Sequence, residues 1–128
     1  MAPSKYAGVA LACAGVFAGV AHAGGDAARG GLLYSARCGG CHSIEENGAG
    51  PRHLGLIGRR AGSQPDYDYS SALQASRIVW TRTTLDEWLA NPNELVPANK
   101  MVVQLANDAR DRADLIEYLS VATRESDR

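Results

Sequence analysis

The chain has few of the side chains that usually hold a metal ion or a prosthetic group. Its 128 residues include three cysteines, three histidines and two methionines. The longest apolar run, residues 7–20, is shorter than the roughly 20 residues that a membrane-spanning helix needs. Basic and acidic side chains nearly balance, at a formal net charge of −1, which argues against nucleic acid or an anionic membrane surface as a partner. A site built from soft ligands must therefore use a small group of residues.

Residues 1–23 predict a secretory signal peptide. Lys5 supplies a positive charge near the start, residues 7–20 are apolar, and Ala21-His22-Ala23 forms an A-x-A cleavage site. Cleavage there would leave residues 24–128, enough for one small domain, and the loss of Lys5 would take the formal charge from −1 to −2. We therefore expect an exported, periplasmic protein that does not span a membrane after cleavage.

The stretch Cys38-Gly39-Gly40-Cys41-His42 has the pattern C-x-x-C-H, which is typical of c-type haem attachment. Two thiols at this spacing can each form a thioether with a porphyrin vinyl group, and the adjacent histidine can then bind the iron. Cys13 would be removed with the signal peptide, so Cys38 and Cys41 would be the only cysteines left. We expect one haem c, attached covalently through these two thiols.

Two other uses of the cysteines stay open on the residues alone. A structural zinc site needs four ligands, and the mature chain offers only Cys38, Cys41, His42 and His53. A thiol-disulfide redox protein places its C-x-x-C at the start of a helix in a βαβ unit, and the sequence has no alternating β pattern. The haem interpretation fits both the motif and the helical surroundings.

Two residues could bind the face of the iron opposite His42. Met101 lies in a polar loop with no apolar helical stripe to belong to, which favours a ligand over a core residue. His53 would give a pair of histidine ligands, but its neighbours Arg52 and Gly55 predict an exposed loop, so we expect His53 at the surface or in contact with a ligand rather than on the iron. Histidine and methionine together close both axial positions, which predicts a one-electron carrier without catalytic residues. A ligand-binding or peroxidase-type haem protein would require Met101 to leave the iron.

Helical patterns are separated by long loops. We predict a first helix over Gly25–Cys38 with Asp26 as N-cap, and a last helix that begins near Asn107 or Asp108. Between them the sequence predicts short helices at Ser70–Ala75 and Thr84–Ala90, the latter with a capping box of Thr84 and Glu87, and loops at 43–63 and 91–105. The last helix should bury Leu115, Ile116, Leu119 and Ala122. The fold class expected is a small all-α domain with large loops.

A series of short motifs covers residues 24–128. Besides C-x-x-C-H, the chain has Gly-Pro at 50–51, then GLIGRRAG, PDYDYS, WLANP, VPANKM ending at Met101, and RADLIEYL. Together this series closely resembles the class I c-type cytochromes, in the branch that includes mitochondrial cytochrome c and its bacterial relatives. The resemblance implies a fold whose terminal helices pack together while loops wrap one covalent haem. It also implies a soluble, monomeric carrier that shuttles electrons between redox complexes.

The same resemblance implies a role for individual residues. Cys38 and Cys41 would carry the thioethers, and His42 and Met101 would be the axial ligands. The Pro51 carbonyl would accept a hydrogen bond from the second nitrogen of His42. The haem propionate would be held by the donors Arg59, Tyr69 and Trp80. Gly30 and Tyr34 would pack against the last helix, where Leu115 and Tyr118 stand.

The chain departs from mitochondrial cytochrome c at several positions. His53 stands where that relative has leucine. Leu73 replaces an asparagine and Trp88 a tyrosine, and we expect both changes to remove a polar group from the haem crevice, so the relative's reduction potential cannot be carried over. The mature chain has one lysine, Lys100, so we expect no strong lysine-driven steering of partners. The basic residues near the motifs are Arg37, Arg52, Arg82 and Lys100.

Overall fold

The computed structural model describes Met1, Pro3 and residues 24–125. The expected signal peptide therefore lies almost entirely outside the described residues. The described part of the chain forms five helices: α1 Ala27–Arg37, α2 Ser71–Ala75, α3 Arg82–Ala90, α4 Pro92–Leu95 and α5 Ala109–Ala122. Its only β pairing is an isolated antiparallel bridge between Arg60 and Val79. The expected all-α fold is confirmed, and none of the described helices is long and apolar enough to cross a membrane.

Helix α1 begins and ends as its sequence predicts. The Asp26 carboxylate accepts a hydrogen bond from the Arg29 backbone N–H at 3.0 Å, so Asp26 is the N-cap. At the other end, the backbone N–H of Cys38 donates to the Tyr34 carbonyl at 2.8 Å. The C-x-x-C-H motif therefore starts directly at the C-cap of α1.

The terminal helices α1 and α5 pack against each other with their backbones in close contact. A Cβ atom on Gly30 would lie 2.0 Å from the carbonyl oxygen of Asp114, so only glycine allows this approach. The rings of Tyr34 and Tyr118 have centroids 5.3 Å apart, and Leu115 is fully buried. The expected packing of the first helix on the last is confirmed.

A buried carboxylate also joins α1 to α5. Asp114 is 4% exposed and accepts hydrogen bonds from the Asp26 backbone N–H and from the Arg29 guanidinium, which also pairs with Asp111. The backbone N–H of Asp26, and then Arg29, hold the pKa of the Asp114 carboxyl below its usual value. These contacts stabilise the charged carboxylate at the helix interface.

Helix α3 begins earlier than its sequence predicts. Thr81 is the N-cap, and its hydroxyl accepts from the Thr84 N–H at 3.2 Å while the Thr84 hydroxyl accepts from the Thr81 N–H at 2.8 Å. The expected capping box of Thr84 and Glu87 is therefore wrong, because a threonine at the third helical position takes the place usually held by glutamate. The expected 91–105 loop is also interrupted by α4, because Pro92 suits the first position of a helix.

The rest of the element prediction agrees with the structure. Residues 38–70 contain no helix, and α5 begins directly after Asp108. Its inward face buries Leu115, Ile116 and Leu119, while Ala122 is only half-buried. The buried apolar side chains come from the helices and from both long loops: Tyr34, Leu56, Ala61, Tyr69, Leu73, Trp80, Leu85, Trp88, Leu89, Val96, Leu105, Leu115, Ile116 and Leu119. The loops are therefore part of the core.

Candidate functional site

A cavity of about 260 Å³ lies among the long loops, α2 and α3. All eight site residues named from the sequence line it: Cys38, Cys41, His42, Pro51, Arg59, Tyr69, Trp80 and Met101. Leu56, Leu73 and Leu85 supply apolar wall between them. The cavity therefore brings two thiols, an imidazole and a thioether to one largely apolar space.

The two thiols lie on a turn that continues from α1. The backbone N–H groups of Cys41 and His42 donate to the Cys38 carbonyl at 3.0 and 2.8 Å, and no disulfide joins the two cysteines. Burial raises the pKa of the Cys38 thiol to about 11. Redox-active cysteines have lowered pKa values, and the shift at Cys38 has the opposite direction. The described residues also contain no cluster of three or more His, Cys, Asp or Glu side chains that could hold a metal ion, so the zinc alternative gains no support.

The His42 ring is held in one tautomer. Its Nδ1 lies 2.7 Å from the Pro51 carbonyl oxygen, which can only accept, so Nδ1 carries the proton and Nε2 keeps a free lone pair. Burial lowers the pKa of His42, which favours the neutral ring that binds metals. The Gly50 backbone lies so close that a Cβ atom there would be 2.3 Å from the ring. Gly50 belongs to the Gly-Pro motif at 50–51, but nothing in the sequence predicted its contact with the His42 ring.

His53 does not lie on an exposed loop, and that expectation is wrong. Its ring stacks on His42, with centroids 4.3 Å apart and planes inclined by 21°, and its Nδ1 lies 3.0 Å from the Tyr34 hydroxyl. Burial lowers the pKa of His53 to about 3. The polar neighbours of His53 in the sequence predicted a solvent-exposed side chain, but the loop turns the His53 ring inward toward Tyr34 of α1.

Met101 is held from two sides. The indole N–H of Trp88 donates to the Met101 sulfur at 3.1 Å, and the Asn99 side-chain oxygen accepts from the Met101 backbone N–H at 2.7 Å. The expectation that Trp88 removes a donor from this region is therefore wrong, because the indole nitrogen takes that role. Asn99 also donates to the Val96 carbonyl at 2.9 Å, so it braces the loop that carries Met101.

Hydrogen-bond donors lie at another part of the cavity wall. Arg59 donates to the carbonyls of Leu54 and Arg52 at 2.6 and 3.1 Å. Burial raises the pKa of the Tyr69 phenol, which stays protonated and able to donate. Trp80 is 6% exposed and lines the cavity, where its indole N–H is a third donor. Guanidinium, phenol and indole together suit a partly buried carboxylate.

These residues fit a covalently bound haem. Two thiols on one turn, an imidazole with a free Nε2 and a thioether are the donor set that haem c requires, and the apolar walls suit a porphyrin. The model of the cytochrome c family matches residues 27–122 of this chain. The chain belongs to the cytochrome c family.

Individual relatives agree with this assignment. A cytochrome c of Gibberella zeae is 41% identical over 105 residues, which cover 80% of this chain and 99% of that protein. Cytochrome c 2.1 of Caenorhabditis briggsae is 41% identical over 99 residues, which cover 76% and 88% of the two chains. The solved structure of cytochrome cH from Methylobacterium extorquens has a TM-score of 0.71 and 40% identity, and the match covers 75% of this chain and 98% of that one.

The expected fold family and cofactor are thereby confirmed. This cytochrome has the small all-α class I fold, with α1 packed on α5. It carries one haem c, attached through Cys38 and Cys41. It is a haem c electron carrier.

Proposed function

We propose that this cytochrome is an exported one-electron carrier in which His42 and Met101 bind the two faces of the haem iron. One observation carries the proposal: both side chains line the same cavity as Cys38 and Cys41, and each is held by its own hydrogen bond. The Pro51 carbonyl aligns His42, and the Trp88 indole holds the sulfur of Met101. The ligand atoms are therefore preorganised on the apolar walls.

The haem supplies an iron that gains or loses one electron, and the protein sets the conditions for that exchange. His42 and Met101 would hold the iron from both sides, so oxygen or peroxide would have no place to bind. A thioether donates weakly, which favours the reduced iron, and the N–H of Trp88 weakens that donation further. Because hydrogen bonds hold both side chains in place, they would move little when the haem gains or loses an electron.

The propionate end of the haem would meet Arg59, Tyr69 and Trp80. Arg59 is fixed by two backbone carbonyls, so its charge stays at the cavity wall in either oxidation state. Trp80 brings an indole N–H to the same wall. These three donors would replace water around a carboxylate that the fold partly buries.

Export and the choice of partners complete the proposal. Residues 1–23 have the three parts of a signal peptide, and removal would leave a soluble, monomeric periplasmic carrier whose partners are other redox proteins. Lys100 is paired with Asp68 at 2.9 Å, Arg52 with Asp66, and Arg82 with Glu117. Three of the four basic residues near the motifs are thus already engaged, which supports weak electrostatic steering of partners.

The ligand assignment is tested by the optical spectrum of the haem-loaded protein. The ferric form should show the weak long-wavelength band of an iron–sulfur bond. Met101→Leu should abolish that band and allow fast cyanide binding, whereas the matched variant His53→Leu should keep the band. Fast cyanide binding by the unaltered protein would favour the ligand-binding or peroxidase-type alternative instead.

Export is tested separately, because the ligand set does not depend on it. The full chain should be expressed in a bacterium that attaches haem c in its periplasm, and the product recovered by osmotic shock. Mass spectrometry should find a chain that begins at Gly24. An intact N-terminus on a haem-loaded, membrane-bound product would refute cleavage and leave the carrier function untouched.

A further inference from the structure

The two histidine rings beside the cavity lie face to face. With centroids 4.3 Å apart and planes inclined by 21°, His42 and His53 have the geometry of a stacked aromatic pair. We propose that His53 is a positioning residue that fixes the plane of the His42 imidazole, and that Tyr34 holds His53 in place. This inference rests on the proposed function, because it requires His42 to bind the iron.

The hydrogen bond to Pro51 cannot fix that plane by itself. A single contact at Nδ1, 2.7 Å long, sets the direction of one N–H bond but leaves the ring free to rock about it. The Gly50 backbone lies against one edge of the ring, so close that a Cβ atom on this residue would clash with it. It limits the motion on that side only. A flat side chain lying against the face of His42 removes the remaining rotation, and His53 is that side chain.

His53 is itself held in a fixed orientation. Its Nδ1 and the Tyr34 hydroxyl are 3.0 Å apart, and the two rings meet edge to face with centroids 5.7 Å apart. Tyr34 is 6% exposed and packs on Tyr118 of α5. The plane of His42 is thereby tied, through two rings, to the rigid interface of the terminal helices.

The plane of an axial imidazole has an electronic consequence that can be measured. The π orbital of the ring overlaps with iron d orbitals along one direction, and so decides which of them holds the unpaired electron of ferric haem. The proton NMR shifts of the four haem methyl groups report that direction. These shifts respond to rotation of the ligand plane, whereas a general loss of stability does not reorder them.

The experiment compares three variants of the haem-loaded, full-length cytochrome in its ferric form. His53→Leu removes the stacked ring but keeps an apolar side chain. Tyr34→Phe removes the hydroxyl but keeps the ring that packs on Tyr118. Ile116→Val is the matched control, because it trims a buried side chain of α5 that does not line the cavity. Haem methyl shifts and the unfolding midpoint are measured for each.

We expect His53→Leu to shift the haem methyl pattern most, Tyr34→Phe to shift it in the same sense by less, and Ile116→Val to leave it unchanged. An unchanged pattern in His53→Leu, with a lower unfolding midpoint as in the control, would reduce His53 to a packing residue and overturn the inference. A shift in His53→Leu without one in Tyr34→Phe would overturn the part assigned to Tyr34. Failure of the proposed function is distinguishable, because the unaltered protein would then lack the iron–sulfur band.

Discussion

The indole Nε1 of Trp88 lies 3.1 Å from the sulfur of Met101 and donates a hydrogen bond to it. Thioether sulfur is a weak acceptor, so a hydrogen bond to it is unusual. The bond lowers the electron donation that the Met101 sulfur would make to the iron. This hydrogen bond uses one sulfur lone pair and leaves another, with which Met101 would bind the iron as proposed. Trp88 replaces a tyrosine of mitochondrial cytochrome c, a change expected from the sequence to remove a polar group. The indole N–H instead supplies a donor to the Met101 sulfur.

Replacing Trp88 with phenylalanine should lower the reduction potential. Without the N–H, the sulfur donates more strongly and favours ferric iron. A hydrogen bond is worth about 0.5–1.5 kcal/mol, which corresponds to roughly 20–60 mV for one electron. Leu89→Val is the control, because it trims a buried side chain of the same helix that does not line the cavity. Redox titration of both variants decides the matter, and equal shifts would contradict a specific bond to Met101.

Gly30→Ala should destabilise the cytochrome strongly. The new Cβ would lie 2.0 Å from the Asp114 carbonyl oxygen and 2.8 Å from Cβ of Tyr118, so α1 and α5 must separate, at a cost of about 1–3 kcal/mol or more. Gly40→Ala is the control, because a Cβ there has no neighbour within 4 Å. Guanidinium unfolding followed by haem absorbance should show a large shift for the first variant only.

Because of the Asp114 carboxylate, the stability of the folded protein should depend on pH in the acid range. Its pKa is lower in the folded protein than in the unfolded chain, mainly through the Asp26 N–H and the Arg29 guanidinium. On acidification, the Asp114 carboxyl therefore takes up a proton at higher pH in the unfolded chain than in the folded protein. The stabilisation that the charged carboxylate provides is complete above its ordinary pKa near 3.8 and is lost as pH falls through the folded pKa.

Asp114→Asn tests this dependence, since it keeps an acceptor and removes the charge. The variant should be less stable than the parent at neutral pH, and the difference should shrink as the solution is acidified. Asp108→Asn serves as control, because Asp108 is exposed and its side chain makes no cap hydrogen bond. Denaturant midpoints over a pH series would contradict the assignment if the two variants behaved alike.

Association with a redox partner should depend only weakly on salt. Lys100 donates to the carbonyl and the carboxylate of Asp68 at 2.8 and 2.9 Å, so this lysine of the cavity wall is already engaged. Exposed charges are largely screened beyond about 8 Å at physiological ionic strength. Stopped-flow electron transfer measured at rising salt should show a shallow decline, and Lys100→Gln should change the slope little. A steep decline would contradict this expectation.

The sequence by itself determined the parts of this cytochrome that rest on local chemistry. The spacing of Cys38, Cys41 and His42 specifies haem attachment because three reactive groups must lie on one turn. Asp26 caps α1 within three residues of the N–H it binds, and the apolar face of α5 follows helical periodicity. The Met101 prediction came from its place in a polar loop and from the resemblance over residues 24–128, and the Pro51 prediction came from the resemblance alone; the cavity that both residues line agrees with these predictions.

Only the tertiary structure decided the contacts between distant segments. The ring of His53 reaches Tyr34, 19 residues away, and stacks on His42, whereas its polar neighbours predicted an exposed side chain. Trp88 meets the sulfur of Met101 across 13 residues, and Arg29 meets Asp114 across 85. A side chain's partners depend on which loops the core brings together, and no local pattern encodes that. The sequence could thus name the two thiols that hold the haem and predict its iron ligands, while the residues that orient these side chains required the fold.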